Sequence, residues 1–227
     1  RETIMYNWNK YLNFFGVTQE NLQELIGIAL SKGGEYADLF FEHSVINELT
    51  LRGGEVNAAG THIDYGVGIR VVKGEKTGYA YSEITTMPLM RKAALTAAQI
   101  ADQQTASVDV TGKFKLLKGE NLYPIGKNWD DTSIAYKIPY LEKLNEKIFS
   151  KDSKTVKVIG KIADSNTFVL FYNSFGEAFT DERPMINVVA NCVMTDSNGR
   201  SETQGVSRSY RMGFELLSDE LMEEIAT

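Results

Sequence analysis

The segment Gly66–Ser82, with the sequence GVGIRVVKGEKTGYAYS, most constrains how this chain can fold. Its first part alternates apolar residues with glycine, arginine and valine, which is the two-residue period of a strand with one buried face. Residues 73–76 are compatible with a turn, and an extended pattern resumes after them. The segment therefore predicts a tight β-hairpin, with Tyr79 and Tyr81 on one side of its second strand.

Three glycines, Gly66, Gly68 and Gly78, lie inside these predicted strands. Glycine weakens a strand, so its presence indicates a bulge or a neighbour packed close to the backbone. A helix is predicted over residues 86–104, and one of its faces carries only small side chains. These are Ala93, Ala94, Ala97, Ala98 and Ala101. We expect this helix to approach the hairpin closely, over Gly68 and Gly78.

The remainder of the first half adds one more helix and one or two strands. The aromatic-rich residues 1–16 have no clear period and predict an arm that packs on a neighbouring surface. A helix is predicted from the N-cap Thr18 to the glycine pair at residues 33–34, followed by extended structure over residues 36–51. With the hairpin and the alanine-rich helix, these elements predict a compact α+β unit that ends near residue 105.

The second half predicts a helix over residues 133–150 and then a series of strands. Asp196-Ser197-Asn198-Gly199 predicts a hairpin turn, because Asn-Gly readily supplies positive φ angles. Pro184 predicts a break in a strand, and a further helix is predicted to begin at Ser218.

The predicted fold class is α+β. We expect a helix-flanked mixed or antiparallel sheet in the first half and a β-meander with a covering helix in the second half. The predicted domains are residues 1–105 and 133–227, with residues 106–132 as a connector.

Composition excludes several classes of function. The 227 residues are 43% hydrophobic and 24% charged, as in ordinary soluble domains. The net charge of −6 and the pI near 5.1 argue against nucleic-acid binding. No apolar run is long enough to predict a membrane span. The single cysteine excludes an intramolecular disulfide and fits a cytoplasmic location, although a cleaved export signal stays open because the chain begins at Arg1.

The residues alone predict no catalytic centre. His43 and His62 are the only histidines and lie on separate extended segments, so a metal pair could arise only through the fold. Cys192 lies in an apolar strand with no nearby histidine, which favours a small core residue over a nucleophile. The sequence has no phosphate-binding loop, which argues against an oxidoreductase or a nucleotide enzyme.

Four segments of the first half carry a resemblance: GGEYADLFFE (33–42), GGEV (53–56), GVGIRVVKGEKTGYAYS (66–82) and LMRKAALTAAQIA (89–101). Together they resemble the amino-terminal domain of the TldD/PmbA proteins, a family also described as modulators of DNA gyrase. Two later segments, FYNSFGEAFTDERP (171–184) and VANCVMTDSNGRSETQG (189–205), are also similar to that family. The resemblance covers nearly the whole chain from about residue 20.

The resemblance implies a bacterial, zinc-dependent metallopeptidase that cleaves unfolded or modified peptides. The family's metal site is a His-Glu-x-x-x-His helix with a distant cysteine, both in the carboxy-terminal half of the protein. This sequence contains no such motif, so we assign it no catalytic and no metal-binding residue. We expect zinc in the full-length enzyme, none bound by this chain, and the metal-binding half in polypeptide that this sequence does not contain.

Our leading hypothesis is a non-catalytic, amino-terminal portion that binds peptide and contributes to assembly with an identical or paralogous subunit. The residues we expect to bind peptide, by strand addition at the hairpin, are Gly66, Gly68, Arg70, Gly78, Tyr79 and Tyr81. Two alternatives stay open. The chain could be a stand-alone peptide-binding or assembly module without hydrolytic activity, and the glycines could serve only to accommodate the alanine-rich helix.

Overall fold

The computed structural model describes residues 2–101, 113–117, 119 and 122–227, with side chains from Trp8 onward except that of Ala101. This part of the chain contains five α-helices: α1 (Glu2–Phe15), α2 (Gln19–Leu30), α3 (Met87–Ala98), α4 (Ile138–Lys151) and α5 (Asp219–Ala226). It contains seven strands: β1 (Tyr36–Arg52), β2 (Glu55–Lys73), β3 (Lys76–Ser82), β4 (Lys115–Leu116), β5 (Thr155–Asn173), β6 (Glu177–Thr195) and β7 (Ser201–Tyr210).

The strands form a mixed sheet in the order β3-β2-β1-β5-β6-β4, and β7 also pairs with β6. The β2–β3 and β6–β7 pairs are antiparallel, whereas the short β4 runs parallel to β6. The predicted α+β class is therefore confirmed. None of the helices in the described ranges is long and apolar enough to cross a membrane.

The chain forms two compact units, each built from three segments. Unit 1 contains Arg1–His43, Asp64–Asn121 and Phe168–Glu182, and unit 2 contains Ser44–Ile63, Leu122–Thr167 and Arg183–Thr227. The domain limits proposed from the sequence, at residues 105 and 133, stay a prediction.

The core of unit 1 lies between the sheet and α1, α2 and α3. It includes the fully buried Phe15, Leu25, Phe41, Ile69 and Ala94. Thr18 caps α2 as predicted, because its side chain accepts a hydrogen bond from the Asn21 backbone N–H at 3.2 Å.

The prediction that the helix approaches the hairpin closely is confirmed at Gly78, but it is wrong at Gly68. A Cβ atom added to Gly78 would lie 2.5 Å from Ile100 Cγ2 and would also meet the carbonyl oxygen of Ala97. Gly68 instead lies on the opposite face of the hairpin, where an added Cβ would lie 3.1 Å from Tyr79 Cε2. Glycine at these two positions therefore accommodates two different neighbours.

The predicted amino-terminal arm is in fact the helix α1. Its residues Trp8, Tyr11 and Phe15 recur at helical spacing and are all buried in the core of unit 1. The exposed Phe14 interrupts this stripe in the sequence and obscures its period. The buried face of this helix becomes apparent from its packing on the sheet and could not be identified from the aromatic composition alone.

The predicted break at Pro184 is also wrong, because β6 continues through it from Glu177 to Thr195. Proline lacks an N–H group and is tolerated where the ladder does not need one. β4 pairs with β6 only at residues 177–178, and β7 begins to pair with it at Ile186. Pro184 lies between these two ladders.

Unit 2 has its own core, in which α4 and α5 contribute Leu141, Leu144 and Met222. The predicted hairpin turn between β6 and β7 is confirmed: the Asp196 N–H donates to the Arg200 carbonyl at 2.9 Å, and Gly199 has a φ of 78°.

A buried ion pair lies within unit 2. Lys137 Nζ is 2.5 Å from Asp164 Oδ2, and both side chains are 1% exposed. Asn47 Nδ2 donates to Asp164 Oδ1 at 3.0 Å, and the Lys137 ammonium lies 5.3 Å from the centre of the Trp129 ring. Burial raises the pKa of the Asp164 carboxyl, whereas hydrogen bonds from Lys137 and Asn47 lower it. Each charge depends on the other for its stability in this environment.

Gly78→Ala should destabilise the protein by about 1–3 kcal/mol, because the new methyl group would overlap α3. Urea unfolding followed by circular dichroism measures the effect. Gly60→Ala is the matched control in another strand, since an added Cβ there meets nothing within 4 Å. Equal unfolding midpoints for the two variants would contradict the close packing of α3 on β3.

Lys137→Met should cost about 3–5 kcal/mol of unfolding free energy, because it leaves the Asp164 carboxylate buried without its cation. The double variant Lys137→Met/Asp164→Leu should lose less, since it removes both charges. The same urea experiment tests this order. A double variant less stable than Lys137→Met would contradict this argument, because removal of the unpaired carboxylate should recover stability.

Candidate functional site

In unit 1, the sheet surface opposite α3 carries a cluster of partly exposed aromatic residues around one arginine. Tyr79 pairs across the hairpin with Arg70, and Tyr81 pairs with Gly68, so these four residues share a face. Tyr79 and Tyr81 are 64% and 67% exposed. We call Tyr36, Gly68, Arg70, Tyr79 and Tyr81 the tyrosine face.

Arg70 is fixed at the centre of the tyrosine face by Asp38. Its Nε and Nη2 atoms donate to Asp38 Oδ2 at 3.0 and 2.5 Å. The Asp38 side chain is only 6% exposed, whereas that of Arg70 is 50% exposed. The guanidinium is therefore held on one side and open to solvent on the other.

Tyr36 borders this ion pair. The Arg70 guanidinium lies 6.0 Å from the centre of the Tyr36 ring, within the range of a cation–π contact. Burial, followed by the negative charge of Asp38, raises the pKa of the Tyr36 hydroxyl. Hydrogen bonds to Asp38 raise the pKa of Arg70. The site thus presents a permanent cation beside a neutral phenol.

Further aromatic residues lie on the same side of β5 and β6. Tyr172 and Ala178 belong to the unit 1 core, so the alternation of a strand directs Phe171 and Phe179 to the opposite face. These two rings stack with their centres 4.8 Å apart. Phe175 lies in the turn after β5, and the centre of its ring is 5.4 Å from the centre of the Tyr36 ring. The face opposite α3 is therefore aromatic across several strands.

The structure brings together four of the six residues that the sequence suggested for peptide binding. Gly68, Arg70, Tyr79 and Tyr81 lie on the tyrosine face, whereas Gly78 lies beneath α3. Gly66 has a φ of 152°, and an added Cβ would lie 3.0 Å from Glu83 Cα. The role of all six in peptide binding stays a prediction.

Sequence reasoning missed Asp38 and Tyr36. The local signal was an aspartate between Ala37 and Leu39 in an apolar strand, which requires a partner when it is buried. That partner, Arg70, lies 32 residues away. Identifying it needs the packing of β1 beside β2, which the sequence pattern does not supply.

The residues that the structure describes do not fit a metal centre. They include no group of three His, Cys, Asp or Glu side chains that could hold a metal ion. His43 lies among aromatic rings: the centre of its ring is 4.9 Å from that of Phe14 and 5.9 Å from that of Tyr65. Its buried Nδ1 atom has no hydrogen-bond partner within the described ranges. His62 is exposed on β2, and Cys192 is half-buried beside the unit 2 core.

Two domains of one family match this chain. Residues 37–101 match the PmbA/TldA metallopeptidase domain 1, and residues 127–227 match the PmbA/TldA metallopeptidase central domain. The Metalloprotease TldD homolog of Haemophilus influenzae is 24% identical over 207 residues, which cover 91% of this chain and 43% of that protein. A TldD homolog from Buchnera aphidicola of Schizaphis graminum is 27% identical over 177 residues, or 74% and 34% of the two chains. The chain thus spans less than half the length of these relatives.

Solved structures share the fold. A candidate modulator of DNA gyrase from Bacteroides thetaiotaomicron aligns with a TM-score of 0.71 and 13% identity, over 92% of this chain and 48% of that one. TldE from Thermococcus kodakarensis aligns with a TM-score of 0.65 and 16% identity, over 91% and 46%.

Arg70→Met should lower the unfolding free energy by about 1–3 kcal/mol, because it leaves the buried Asp38 carboxylate without its donors. Arg91→Met is the matched control: Arg91 also binds a carboxylate, that of Glu24, through Nε and Nη2, but both side chains are exposed. Arg91→Met should lower the unfolding free energy less than Arg70→Met, because an exposed ion pair is screened by water and salt. Chemical denaturation compares the two, and a larger loss for Arg91→Met would contradict the burial argument.

Proposed function

We propose, from the premise that this chain belongs to the PmbA/TldD metallopeptidase family, that it is the amino-terminal, non-catalytic portion of such a peptidase. In this proposal the chain binds peptide on the tyrosine face. Zinc and the residues that hold it belong to polypeptide outside this sequence. The assembled enzyme acts on unfolded or modified peptides in the bacterial cytoplasm.

The exposure of the tyrosine face is the observation that carries the proposal. Tyr79 and Tyr81 leave about two-thirds of their surface in contact with solvent, beside an arginine that is already oriented. Tyrosine and arginine are enriched where proteins bind peptides and other proteins, because each combines a large contact area with hydrogen bonding. Exposed apolar surface that extends over several strands marks interaction sites in many soluble proteins.

Preorganisation supports the same assignment. Asp38 fixes the side chain of Arg70, and the seven residue pairs of the β2–β3 ladder fix the backbone that carries Tyr79 and Tyr81. Side chains that are already ordered lose less conformational entropy on binding, so more of the contact free energy is retained as affinity. The proposed site can therefore bind a flexible ligand, which itself has much entropy to lose.

Assembly is the second part of the proposal. We propose that the chain associates with an identical or a paralogous subunit of the same family. TldE from Thermococcus kodakarensis, whose fold matches this chain, shows that differently named members share the architecture. Size-exclusion chromatography with light scattering, alone and with a paralogue, distinguishes the two arrangements.

The variant Tyr79→Ala/Tyr81→Ala should weaken the binding of an unstructured, fluorescently labelled peptide by tenfold or more, because two exposed aromatic contacts are lost. Fluorescence anisotropy measures the dissociation constant. Tyr136→Ala is the matched control, since Tyr136 is 63% exposed and lies in unit 2.

Three outcomes are informative. Equal weakening by the double variant and by Tyr136→Ala would contradict a specific role for the tyrosine face. Binding without cleavage by this chain, followed by cleavage once a carboxy-terminal half and zinc are supplied, would support the peptidase proposal. Binding with no cleavage in that reconstituted, metal-loaded protein would instead favour a stand-alone binding module.

A further inference from the structure

The guanidinium of Arg70 has two edges that can bind a carboxylate, and Asp38 occupies only one of them. The hydrogen bonds from Nε and Nη2 both end on the same oxygen, Oδ2 of Asp38. The edge formed by Nη1 and Nη2 points away from this contact, because the guanidinium is planar and its donors have fixed directions. Half of the Arg70 side chain is exposed, so this second edge can receive a partner from solvent.

The side chain of Tyr79 leaves the Arg70 guanidinium open, although the two residues pair across the hairpin. A Cβ atom added to Gly68 would lie 3.1 Å from Tyr79 Cε2. The tyrosine ring therefore lies across residue 68, two positions along β2 from Arg70. Glycine at residue 68 thus has a consequence for the arginine, since it provides the space into which the ring turns away.

Aromatic rings flank the guanidinium on both sides. On the β1 side, the centre of the Tyr36 ring lies 6.0 Å from the guanidinium, and the same ring packs against Phe175. On the β3 side, Tyr79 and Tyr81 are mostly exposed. Interactions between charges are stronger where rings exclude part of the surrounding water. A ligand that places a carboxylate on Arg70 would also contact apolar surface on either side of it.

The overall charge of the chain does not favour acidic ligands. The formal net charge is −6, so the protein as a whole repels an acidic peptide. Asp38 also cancels the charge of Arg70 at long range. A preference for a carboxylate at this face would therefore require direct hydrogen bonds to the second edge of Arg70, which are charge-assisted and act only at short range.

We infer that the tyrosine face selects peptides that carry a carboxylate, which Arg70 receives on the edge formed by Nη1 and Nη2. This inference rests on the proposed function and names the class of peptide that it recognises. The carboxylate lies beside aromatic or aliphatic side chains, which pack on the flanking rings. An acidic side chain and a free carboxyl terminus supply the same chemistry. Arg70 is thus a specificity-determining residue that bridges two carboxylates, one of the protein and one of the ligand.

Four versions of one eight-residue, N-acetylated peptide test the need for a carboxylate. The peptide is rich in tyrosine and valine and contains one interior glutamate. Its versions combine glutamate or glutamine at that position with a free or an amidated carboxyl terminus. Each version competes for the intact chain with a labelled peptide that has the glutamate and the free terminus. Fluorescence anisotropy gives the four dissociation constants.

The version without any carboxylate should bind at least tenfold more weakly than the version with both, because its contacts with Arg70 are no longer charge-assisted. The two intermediate versions identify the source of the carboxylate. Tight binding of the amidated glutamate peptide assigns it to acidic side chains, and tight binding of the glutamine peptide with a free terminus assigns it to chain ends. Either result supports the inference.

Two other outcomes count against it. Binding of all four versions within threefold of one another would overturn the inference and leave the proposed function intact, since the peptides still bind. Failure of all four versions to bind would overturn both.

Arg70→Lys tests whether Arg70 is the receptor. Lysine keeps a cation for Asp38 but replaces the planar fork by a single ammonium, which does not offer a second pair of parallel donors. In this variant the peptides with and without carboxylates should differ in affinity by less than threefold. The comparison is made within one protein, as in a double-mutant cycle, so a partial loss of folded protein affects both peptides equally.

Arg91→Lys is the matched control. Arg91 also binds a carboxylate, that of Glu24, through Nε and Nη2, but it lies on α3 and therefore on the opposite side of the hairpin. This variant should keep the difference of tenfold or more between the two peptides. A difference that survives in Arg70→Lys, or that falls equally in both variants, would overturn the inference.

Discussion

The close packing of α3 on β3 is the contact on which the architecture of unit 1 depends. It requires glycine at residue 78, because any side chain there would enter the space occupied by Ile100 and the Ala97 carbonyl. The buried alanines of α3 complete the match, since their small volume brings the two backbones together. This packing places the apolar residues of the hairpin toward the helices and leaves the tyrosines on the other side. The tyrosine face is thus a consequence of where the helix lies.

The same face shows how burial changes the meaning of an ion pair. Arg70 and Arg91 each bind a carboxylate through Nε and Nη2, although Arg70 donates both hydrogen bonds to one oxygen of Asp38 and Arg91 donates to both oxygens of Glu24. Asp38 is almost completely removed from solvent, whereas Glu24 is exposed and its interaction is screened by water and salt. The Asp38 pair therefore orients its arginine, while the Glu24 pair contributes little. A fixed guanidinium among aromatic rings is suited to binding, because its position is set before a ligand arrives.

Local sequence patterns predicted the elements that depend on local chemistry. The hairpin between β2 and β3, the capped start of α2 and the Asp196–Gly199 turn all follow from alternation, capping and positive φ. The failures depend on tertiary contacts. The sequence does not predict α1, because its buried face becomes apparent only when it packs on the sheet. The continuity of β6 through Pro184 depends on the register of β4 and β7 along that strand. The role of Asp38 depends on Arg70, which is distant in sequence. The opposite orientations of Gly68 and Gly78 likewise emerge only when α3 is placed on one face of the hairpin.

The peptide binding that we propose for this chain would depend on exposed aromatic rings. The rings of Tyr79 and Tyr81 offer apolar contact area without a requirement for one partner residue. The residues described here do not fit a metal centre, and the chain spans less than half of the relatives that it matches. In the division of labour that we propose, this portion holds the peptide and another portion cleaves it. Binding free energy from the tyrosine face would then raise the local concentration of peptide at a cleavage site elsewhere.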